Sequence, residues 1–317
     1  MNEPHTDHPS GDEHEHETGP LAELVTLRDW MRYAVTRFNR AQLFFGHGCA
    51  DAYDEAAWLL LHTLALPLER LEPFLDACIP GDEREALLEV IERRVEERIP
   101  AAYLTGEAWL GSYRFRSDRR AIIPRSFFAE LLDEGLSPWI EDPEAVQDAL
   151  DLCTGSGCLA IVMAHVFPAA RIVGTDLSPD ALALARENVA DYGLEDRIEL
   201  IRSDVFDALG ERRFDLILSN PPYVTTQSMQ ALPREYLHEP DMALGAGEDG
   251  LDVVRRILAQ ARRHLNPGGI LAVEVGHNRH LVEAAFPDLP LIWLPTSGGD
   301  GMIFLIQADD LDGFQGS

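Results

Sequence analysis

The fold of this chain is decided by a strand-like run that passes through a glycine turn into a helix, Asp151-Leu152-Cys153-Thr154-Gly155-Ser156-Gly157-Cys158-Leu159-Ala160. Glycine lets the backbone approach a ligand closely, and a helix that begins at such a turn points its free amides outward. The spacing Gly155-x-Gly157-x-x-Ala160 also fits a dinucleotide-binding fingerprint. The turn therefore predicts a nucleotide-like ligand without saying which one.

Strand, turn and helix patterns alternate through the rest of the chain beyond this turn. Alternating β and α units predict an α/β fold with a doubly wound, mostly parallel sheet and helices on both faces. Ligands of such sheets bind at the carboxyl ends of the strands. We predict helices at 157–167, 179–192, 250–265 and 277–286, and strands at 147–152, 171–175, 198–202, 214–219, 269–275 and 302–307.

The sequence before and after these units divides into further segments. Apolar residues recur every three or four positions from Leu21 to about Arg98, and then alternate around the turn Gly111-Ser112. The first residues mix His with Asp and Glu, which favours a solvated tail over a loose metal site. We predict a disordered tail at 1–19, a helical domain at 20–100, a β-hairpin linker at 101–125, the α/β domain at 126–308 and a flexible tail at 309–317.

The chain is strongly acidic. Its 317 residues carry a formal net charge of −29, and all 26 basic residues are arginine. Tracking duplex phosphates needs clustered cations, so a basic protein is favoured as partner over naked nucleic acid. The lack of lysine excludes a lysine base or Schiff base. No apolar run or signal peptide points to a membrane, and the four cysteines show no CxxC spacing, which together predict a cytoplasmic protein with reduced thiols.

Acidic residues end the second and third predicted strands. A carboxylate at Asp176 can accept hydrogen bonds from both hydroxyls of a ribose. Asp204 can accept from an adenine amino group while Phe206 packs nearby. Each residue alone has a simpler structural interpretation, because Ser178 is a good N-cap that Asp176 would support and Asp204 suits a turn.

The fourth predicted strand ends in Asn220-Pro221-Pro222-Tyr223. An asparagine side chain offers an acceptor and a donor in one plane. Two prolines hold φ at about −65° and so fix the acceptors in place, while an aromatic ring can lie flat on a planar substrate. The motif predicts a grip on a planar amino or amide nitrogen, which suits a transferase that alkylates nitrogen.

The four strand ends together supply a glycine turn, a ribose acceptor, an adenine acceptor and an amide grip. A dinucleotide explains only the first two, whereas S-adenosyl-L-methionine beside a gripped nitrogen uses all four. We therefore predict this cofactor, and no metal. The predicted cofactor-binding residues are Asp151, Thr154, Gly155, Ser156, Gly157, Asp176, Leu177, Ser203, Asp204, Val205, Phe206 and Asn220.

In its glycine turn and in Asn220-Pro221-Pro222-Tyr223 the chain resembles the class I protein-(glutamine-N5) methyltransferases, over about residues 23–305. One branch of that family acts on large-subunit (50S) ribosomal protein L-three, and the other on peptide-chain release factors. The segments 43–48 and 232–240 are similar to the ribosomal-protein branch. The release-factor branch usually carries Pro-Arg-Pro-Asp where this chain has Pro124-Arg125-Ser126, and Phe127-Phe128 departs from the proline-plus-aliphatic pair expected next.

The resemblance implies a seven-stranded Rossmann-like sheet and methylation of a glutamine side chain in ribosomal protein L-three, free or in an assembling subunit. Asn220 and the Pro221 carbonyl would accept the N–H bonds of that amide, and Pro222 and Tyr223 would complete the catalytic motif. Arg125 and Glu239 are expected to line the substrate channel or else to form a salt bridge. The helical domain would recognise the substrate.

Three alternatives stay open at this point: a release-factor methyltransferase, a DNA adenine amino-methyltransferase and a non-catalytic ribosome assembly factor. The DNA enzyme would need a basic recognition region, which this acidic chain lacks. The intact glycine turn, Asp176 and Asn220 argue against a non-catalytic factor.

Overall fold

The computed structural model describes residues 19–314, which form two compact units. The helical unit contains the described residues up to Leu43 together with Asp51–Glu97, and the sheet unit contains Phe44–Ala50 and the described chain from Arg98 onward. The prediction of one helical domain at 20–100 therefore needs correction, because Phe44–Ala50 belongs to the sheet unit. The rings of this loop pack on Tyr236 of the sheet unit. Apart from Gly19, the predicted tail at 1–19 lies outside the described residues.

The described part of the helical unit contains four helices: α1 (Pro20–Glu23), α2 (Leu27–Arg40), α3 (Ala52–Thr63) and α4 (Gly81–Glu96). Thr26 begins α2 with a capping box, in which its hydroxyl and the Asp29 carboxylate each accept from the other's backbone amide. Arg94 of α4 is buried and donates to the Glu55 carboxylate of α3 across 2.6 Å. A buried charge requires such a partner, so this ion pair joins the two helices.

A short helix and a hairpin open the sheet unit after Arg98: α5 (Ala101–Thr105), β1 (Glu107–Leu110) and β2 (Tyr113–Arg116). The sequence predicts a hairpin from residue 101, but residues 101–105 are helical. The backbone amides of Tyr103 and Leu104 bond to the Pro100 carbonyl, and Gly106 ends the helix with φ 73°. Glycine is favoured in that left-handed conformation because it has no Cβ.

The main sheet contains seven strands: β3 (Asp148–Leu152), β4 (Arg171–Asp176), β5 (Ile198–Arg202), β6 (Phe214–Ser219), β7 (Leu265–Glu274), β8 (Ile292–Leu294) and β9 (Ile303–Gln307). Their order across the sheet is β5-β4-β3-β6-β7-β9-β8, and β9 runs antiparallel to the other six strands. Strands β4 and β5 follow β3 in the chain and lie on one side of it in the sheet. The next strand, β6, pairs with the opposite side of β3. This reversal between β3 and β6 is where a doubly wound sheet opens a ligand crevice.

Both faces of the sheet are covered. Successive side chains of a strand point to opposite faces, so Ala149 packs with Leu216 in one core cluster and Leu150 with Ile217 in the other. Strands buried on both faces are apolar almost throughout, which is why their sequences are easily recognised. The helices of the sheet unit after the hairpin are α6 (Phe128–Asp133), α7 (Cys158–Val166), α8 (Pro179–Asp191), α9 (Thr226–Met229), α10 (Asp252–His264) and α11 (Arg279–Ala285).

The predicted doubly wound, seven-stranded sheet is confirmed, and each of the six strands located by pattern is present. Strand β8 escapes prediction because its three residues are too few to show a period. The prediction of a flexible tail from residue 309 needs correction, since Ala308–Leu311 form a 3-10 turn and Leu311 is buried in the sheet core. The end of that predicted tail, at 315–317, lies outside the described residues. Within the described residues no helix is long and apolar enough to cross a membrane.

Candidate active site

The carboxyl ends of β3, β4, β5 and β6 surround a cavity. Gly155, Asp176, Asp204 and Asn220, one from each strand end, all line it. Parallel strands bring these ends to one edge of the sheet, so residues far apart in sequence meet there.

Hydrogen bonds to the buried Asp151 carboxylate stabilise the glycine turn after β3. The fully buried Asp151 accepts through Oδ2 from the Thr154 hydroxyl at 2.5 Å and the Ala160 amide at 2.9 Å. Burial raises the pKa of Asp151 to about 7, although these hydrogen bonds oppose the shift. Asp151 lies beneath the turn and does not line the cavity, so it shapes the turn that Gly155 and Gly157 form with φ of 54° and 80°.

Asp176 lies in the cavity wall and also supports the turn. Its Oδ2 accepts from the Gly155 amide at 2.9 Å and its Oδ1 accepts from the Ser178 amide at 2.8 Å. Burial raises the pKa of Asp176 against the effect of these backbone bonds. Each carboxylate oxygen keeps acceptor capacity. Supporting the turn is therefore compatible with accepting from a ligand, and the neighbouring Leu177 exposes its side chain to the same cavity.

The end of β5 departs from the prediction at one residue. Ser203, Asp204 and Val205 line the cavity, and Asp204 pairs with Arg256 of α10 across 2.9 Å. Phe206 does not line it. Its ring is buried and stacks on His264 with 4.6 Å between centroids and 6° between planes. Phe206 is therefore a residue of the hydrophobic core and not of the cavity wall.

Two residues of the wall have an unusual backbone. Cys153 and Val205 adopt φ of 66° and 53° although neither is glycine. Such conformations are costly for side chains with a Cβ, most of all for a β-branched one, and they concentrate at functional sites. Cys153 directly follows β3, Val205 lies three residues after β5, and both line the cavity.

Asn220 lines both the large cavity and a smaller one. Its Nδ2 donates to the Arg125 backbone carbonyl across 3.1 Å. Within the described residues no protein group donates to its Oδ1. The smaller cavity is lined by Ile122, Pro124, Arg125, Ser126, Cys153, Thr154, Gly155, Ser156, Cys158, Leu159 and Asn220.

The three residues after Asn220 have different surroundings. Pro222 lines the large cavity, whereas Pro221 is buried and Tyr223 is half-buried, and neither of these two lines either cavity. The Tyr223 carbonyl accepts from Asn278 Nδ2 across 2.6 Å. A Cβ on Gly276 would lie 2.8 Å from the Tyr223 ring. Burial, followed by the charge of Glu274, raises the pKa of Tyr223, so its hydroxyl stays protonated.

Glu239 is not accessible to a substrate. Its side chain is 0% exposed and pairs with Arg125, whose Nη2 lies 2.7 Å from Oε2. Burial alone would raise the pKa of Glu239, but the adjacent His47 and the hydrogen-bonded Arg125 outweigh it and bring the pKa to about 2. Of the two predicted channel residues, Arg125 lines the smaller cavity and Glu239 forms the salt bridge that was the alternative prediction.

A methyltransferase small domain model matches residues 127–246. The ribosomal protein uL3 glutamine methyltransferase of Neisseria meningitidis serogroup A is 60% identical over 291 residues, covering 92% of this chain and 96% of the relative. Proteins of the same name from Burkholderia pseudomallei and Bradyrhizobium diazoefficiens are 55% and 48% identical, cover 92% of this chain, and are themselves covered to 97% and 93%. The chain belongs to the ribosomal protein uL3 glutamine methyltransferase family.

Membership of the uL3 glutamine methyltransferase family confirms the predicted resemblance, including its ribosomal-protein branch. The matched domain spans the glycine turn, Asp176, Asp204 and Asn220. These are the residues that carried the prediction, and the structure gathers them around one cavity.

Sequence reasoning missed Glu274 and the position of His47. Glu274 ends β7, is buried, and accepts through Oε2 from the Ser126 hydroxyl at 2.5 Å and the Phe127 amide at 3.1 Å. Burial raises its pKa to about 7 against the effect of these bonds. A single carboxylate at the end of an otherwise apolar strand was the available signal for Glu274. No local signal marks His47, because its Nε2 lies 3.6 Å from Glu239, a residue far away in the sequence.

Proposed function

We propose that this chain transfers a methyl group from S-adenosyl-L-methionine to the side-chain amide nitrogen of a glutamine in ribosomal protein uL3. The observation that carries the proposal is the orientation of Asn220. Its Nδ2 is engaged by the Arg125 carbonyl, so the Oδ1 acceptor is the end left for an N–H donor. An amide that offers an acceptor at the junction of two cavities suits a planar –NH₂ substrate.

The residues of the large cavity fit an adenosyl cofactor better than a dinucleotide. Asp176 and Asp204 offer acceptors, which suit ribose hydroxyls and an amino group but repel phosphates. The two arginines of the wall, Arg120 and Arg256, are already paired with carboxylates. A Cβ built on Gly155 would meet nothing within 4 Å, so the turn leaves open space for the ligand. We infer that Asp176 binds the ribose and that Asp204 lies near the adenine.

The protein's contribution to the reaction is to position the nucleophile. S-adenosyl-L-methionine, when bound, supplies an electrophilic methyl group on sulfur. An amide nitrogen is a weak nucleophile because its lone pair is delocalised. Asn220 Oδ1 and the backbone carbonyl of Pro221 would accept the two N–H bonds of the glutamine, which aims the lone pair at the methyl group. As nitrogen gains the methyl group from sulfur, it loses one of these protons to water. Fixed geometry of this kind lowers a barrier by several kcal/mol, to an order of magnitude.

The charge of the chain suits the substrate proposed for it. A formal net charge of −29 favours approach of a basic ribosomal protein and disfavours naked nucleic acid. Such steering weakens as salt screens it. We infer that the helical unit takes part in recognising uL3, whether that protein is free or within an assembling subunit.

The experiment is incubation of the purified chain with methyl-labelled cofactor and either uL3, a release factor or adenine-containing DNA. We expect label in uL3 alone, on a glutamine identified by mass spectrometry of its peptides. Label in the release factor and none in uL3 would assign the chain to the other substrate, and label in DNA would overturn the amide mechanism. Comparing free uL3 with a large-subunit assembly intermediate identifies the form of the substrate.

A further inference from the structure

A backbone segment at residues 123–127, which we call the strap, is held at both ends by buried carboxylates. Glu239 accepts from the Ile123 amide at 3.0 Å and from the Arg125 guanidinium. Glu274 accepts from the Ser126 hydroxyl and the Phe127 amide. Glu239 is 4% exposed and Glu274 is 2% exposed, so water does not compete for these bonds.

The middle of the strap carries the carbonyl that binds Asn220. This carbonyl belongs to Arg125, the residue between the two held ends. We infer that Glu239 and Glu274 are positioning residues, which fix the strap so that the Arg125 carbonyl holds the Asn220 amide with its acceptor toward the substrate. The inference rests on the proposed function, because it assigns these carboxylates to the orientation of the glutamine-binding group.

Contacts around Arg125 support this role. The Arg125 guanidinium lies over the Tyr236 ring, 5.3 Å from its centroid, and also donates to the Ile123 carbonyl at 3.2 Å. The centroid of the His47 ring lies 4.5 Å from that of Tyr236, and His47 Nε2 is 3.6 Å from Glu239. Arg125 is thus held through its side chain by partners that are themselves packed within the sheet unit. A residue held in this way has little freedom to move its own carbonyl.

The two carboxylates serve the site and not merely the fold, because both accept hydrogen bonds from the strap itself. Glu235 offers a matched comparison. It is buried on the 3-10 turn that precedes Glu239, accepts from the Phe44 amide at 3.1 Å and lies 3.5 Å from Arg98. Both of these partners lie outside residues 123–127. Comparing a substitution at Glu235 with one at Glu239 therefore separates the effect of losing any buried carboxylate from the effect of loosening the strap.

The test compares Glu239→Gln with Glu235→Gln in the full chain. Glutamine keeps the shape and one acceptor oxygen but loses the charge. For Glu239→Gln we expect kcat for uL3 methylation to fall about tenfold or more, while the cofactor Kd stays within about threefold, since a tenfold loss corresponds to about 1.4 kcal/mol. For Glu235→Gln we expect kcat close to wild type. A crystal structure of Glu239→Gln is expected to show the Asn220 Nδ2 to Arg125 carbonyl bond lengthened or lost.

Ser126→Ala is the second variant, and it removes the hydroxyl that donates to Glu274 and accepts from the Phe128 amide, while the bond from the Phe127 amide to Glu274 remains. A fall in kcat with an unchanged cofactor Kd supports the inference here too. If Glu239→Gln and Ser126→Ala both turn over uL3 at the wild-type rate, the inference is wrong. Equal losses in Glu239→Gln and Glu235→Gln would also overturn it, because they would show a general structural role. Failure of the wild-type chain to methylate uL3 at all would instead count against the proposed function.

Discussion

Asn220 Nδ2 donates to the backbone carbonyl of Arg125 across 3.1 Å, although the two residues are 95 positions apart. The bond determines which end of the Asn220 amide remains for a ligand. An asparagine at this position offers a donor or an acceptor depending on its rotation. With the donor engaged, the acceptor oxygen is the end available at the junction of the two cavities.

Asn220→Ala removes this acceptor and leaves the rest of the large cavity in place. We expect kcat for uL3 methylation to fall about a thousandfold or more, while the cofactor Kd measured by calorimetry stays within about tenfold, because orientation is lost and not cofactor binding. Asn266→Ala is the control. Asn266 bonds to Asp215 at the other end of the sheet, and its loss is expected to leave kcat unchanged. Turnover of Asn220→Ala near the wild-type rate contradicts the mechanism.

Gly276→Ala tests the position of the Tyr223 ring. Gly276 has φ 54°, and a Cβ there would lie 2.8 Å from the ring, so alanine must displace Tyr223. Gly210→Ala is matched in backbone strain, with φ 60°, but its Cβ meets nothing within 4 Å. We expect both variants to lose about 1–2 kcal/mol of stability through the left-handed backbone. Only Gly276→Ala is expected to lose kcat, by about tenfold. Equal activity of the two variants would show that the Tyr223 position is unimportant.

Asp176→Ala tests the ribose acceptor. The substitution removes a carboxylate that lines the cavity and that binds the amides of Gly155 and Ser178. Losing hydrogen bonds to a charged group costs about 1.5–3 kcal/mol, so we expect the cofactor Kd to rise by about one to two orders of magnitude. The exposed Asp180 on α8 supplies the control, and Asp180→Ala is expected to bind cofactor normally. An unchanged Kd for Asp176→Ala refutes the assignment.

The two carboxylates that hold the strap give opposite dependences of stability on pH. Glu274 has a pKa raised to about 7 in the folded chain, so the folded state binds more protons and its contribution to stability falls as pH rises from about 4.5 to about 7. Glu239 has a pKa of about 2, so its contribution is present above about 4.5 and is lost as pH falls toward 2. Each shift corresponds to about 3 kcal/mol, to an order of magnitude.

Chemical denaturation across pH measures both effects. Relative to Glu274→Gln, the wild type is expected to lose free energy of unfolding between about pH 4.5 and 7. Relative to Glu239→Gln, the wild type is expected to lose it below about pH 4.5. Parallel pH profiles for the wild type and both variants would contradict the assigned pKa shifts.

Local patterns in the sequence predicted the elements that depend on them. Buried strands such as β3 and β6 are apolar runs, and the glycine turn at Gly155 and Gly157 follows from the need for positive φ. The same patterns placed Asp176, Asp204 and Asn220 at one edge, because parallel strands align their carboxyl ends. The same patterns placed Phe206 wrongly at the cavity. Its neighbours in sequence line the cavity, but its ring stacks on His264 of α10.

The sequence by itself determined the sheet, the order of the strand-end motifs and the type of chemistry, since hydrophobic period and residue type act over a few positions. The tertiary structure alone decided that Phe44–Ala50 belongs to the sheet unit, that Glu239 is buried under the strap and that Glu274 holds its other end. The contacts of these two carboxylates with the strap join residues 116 and 147 positions apart. Buried charges take whichever donors the folded chain brings to them, and no local pattern encodes that choice.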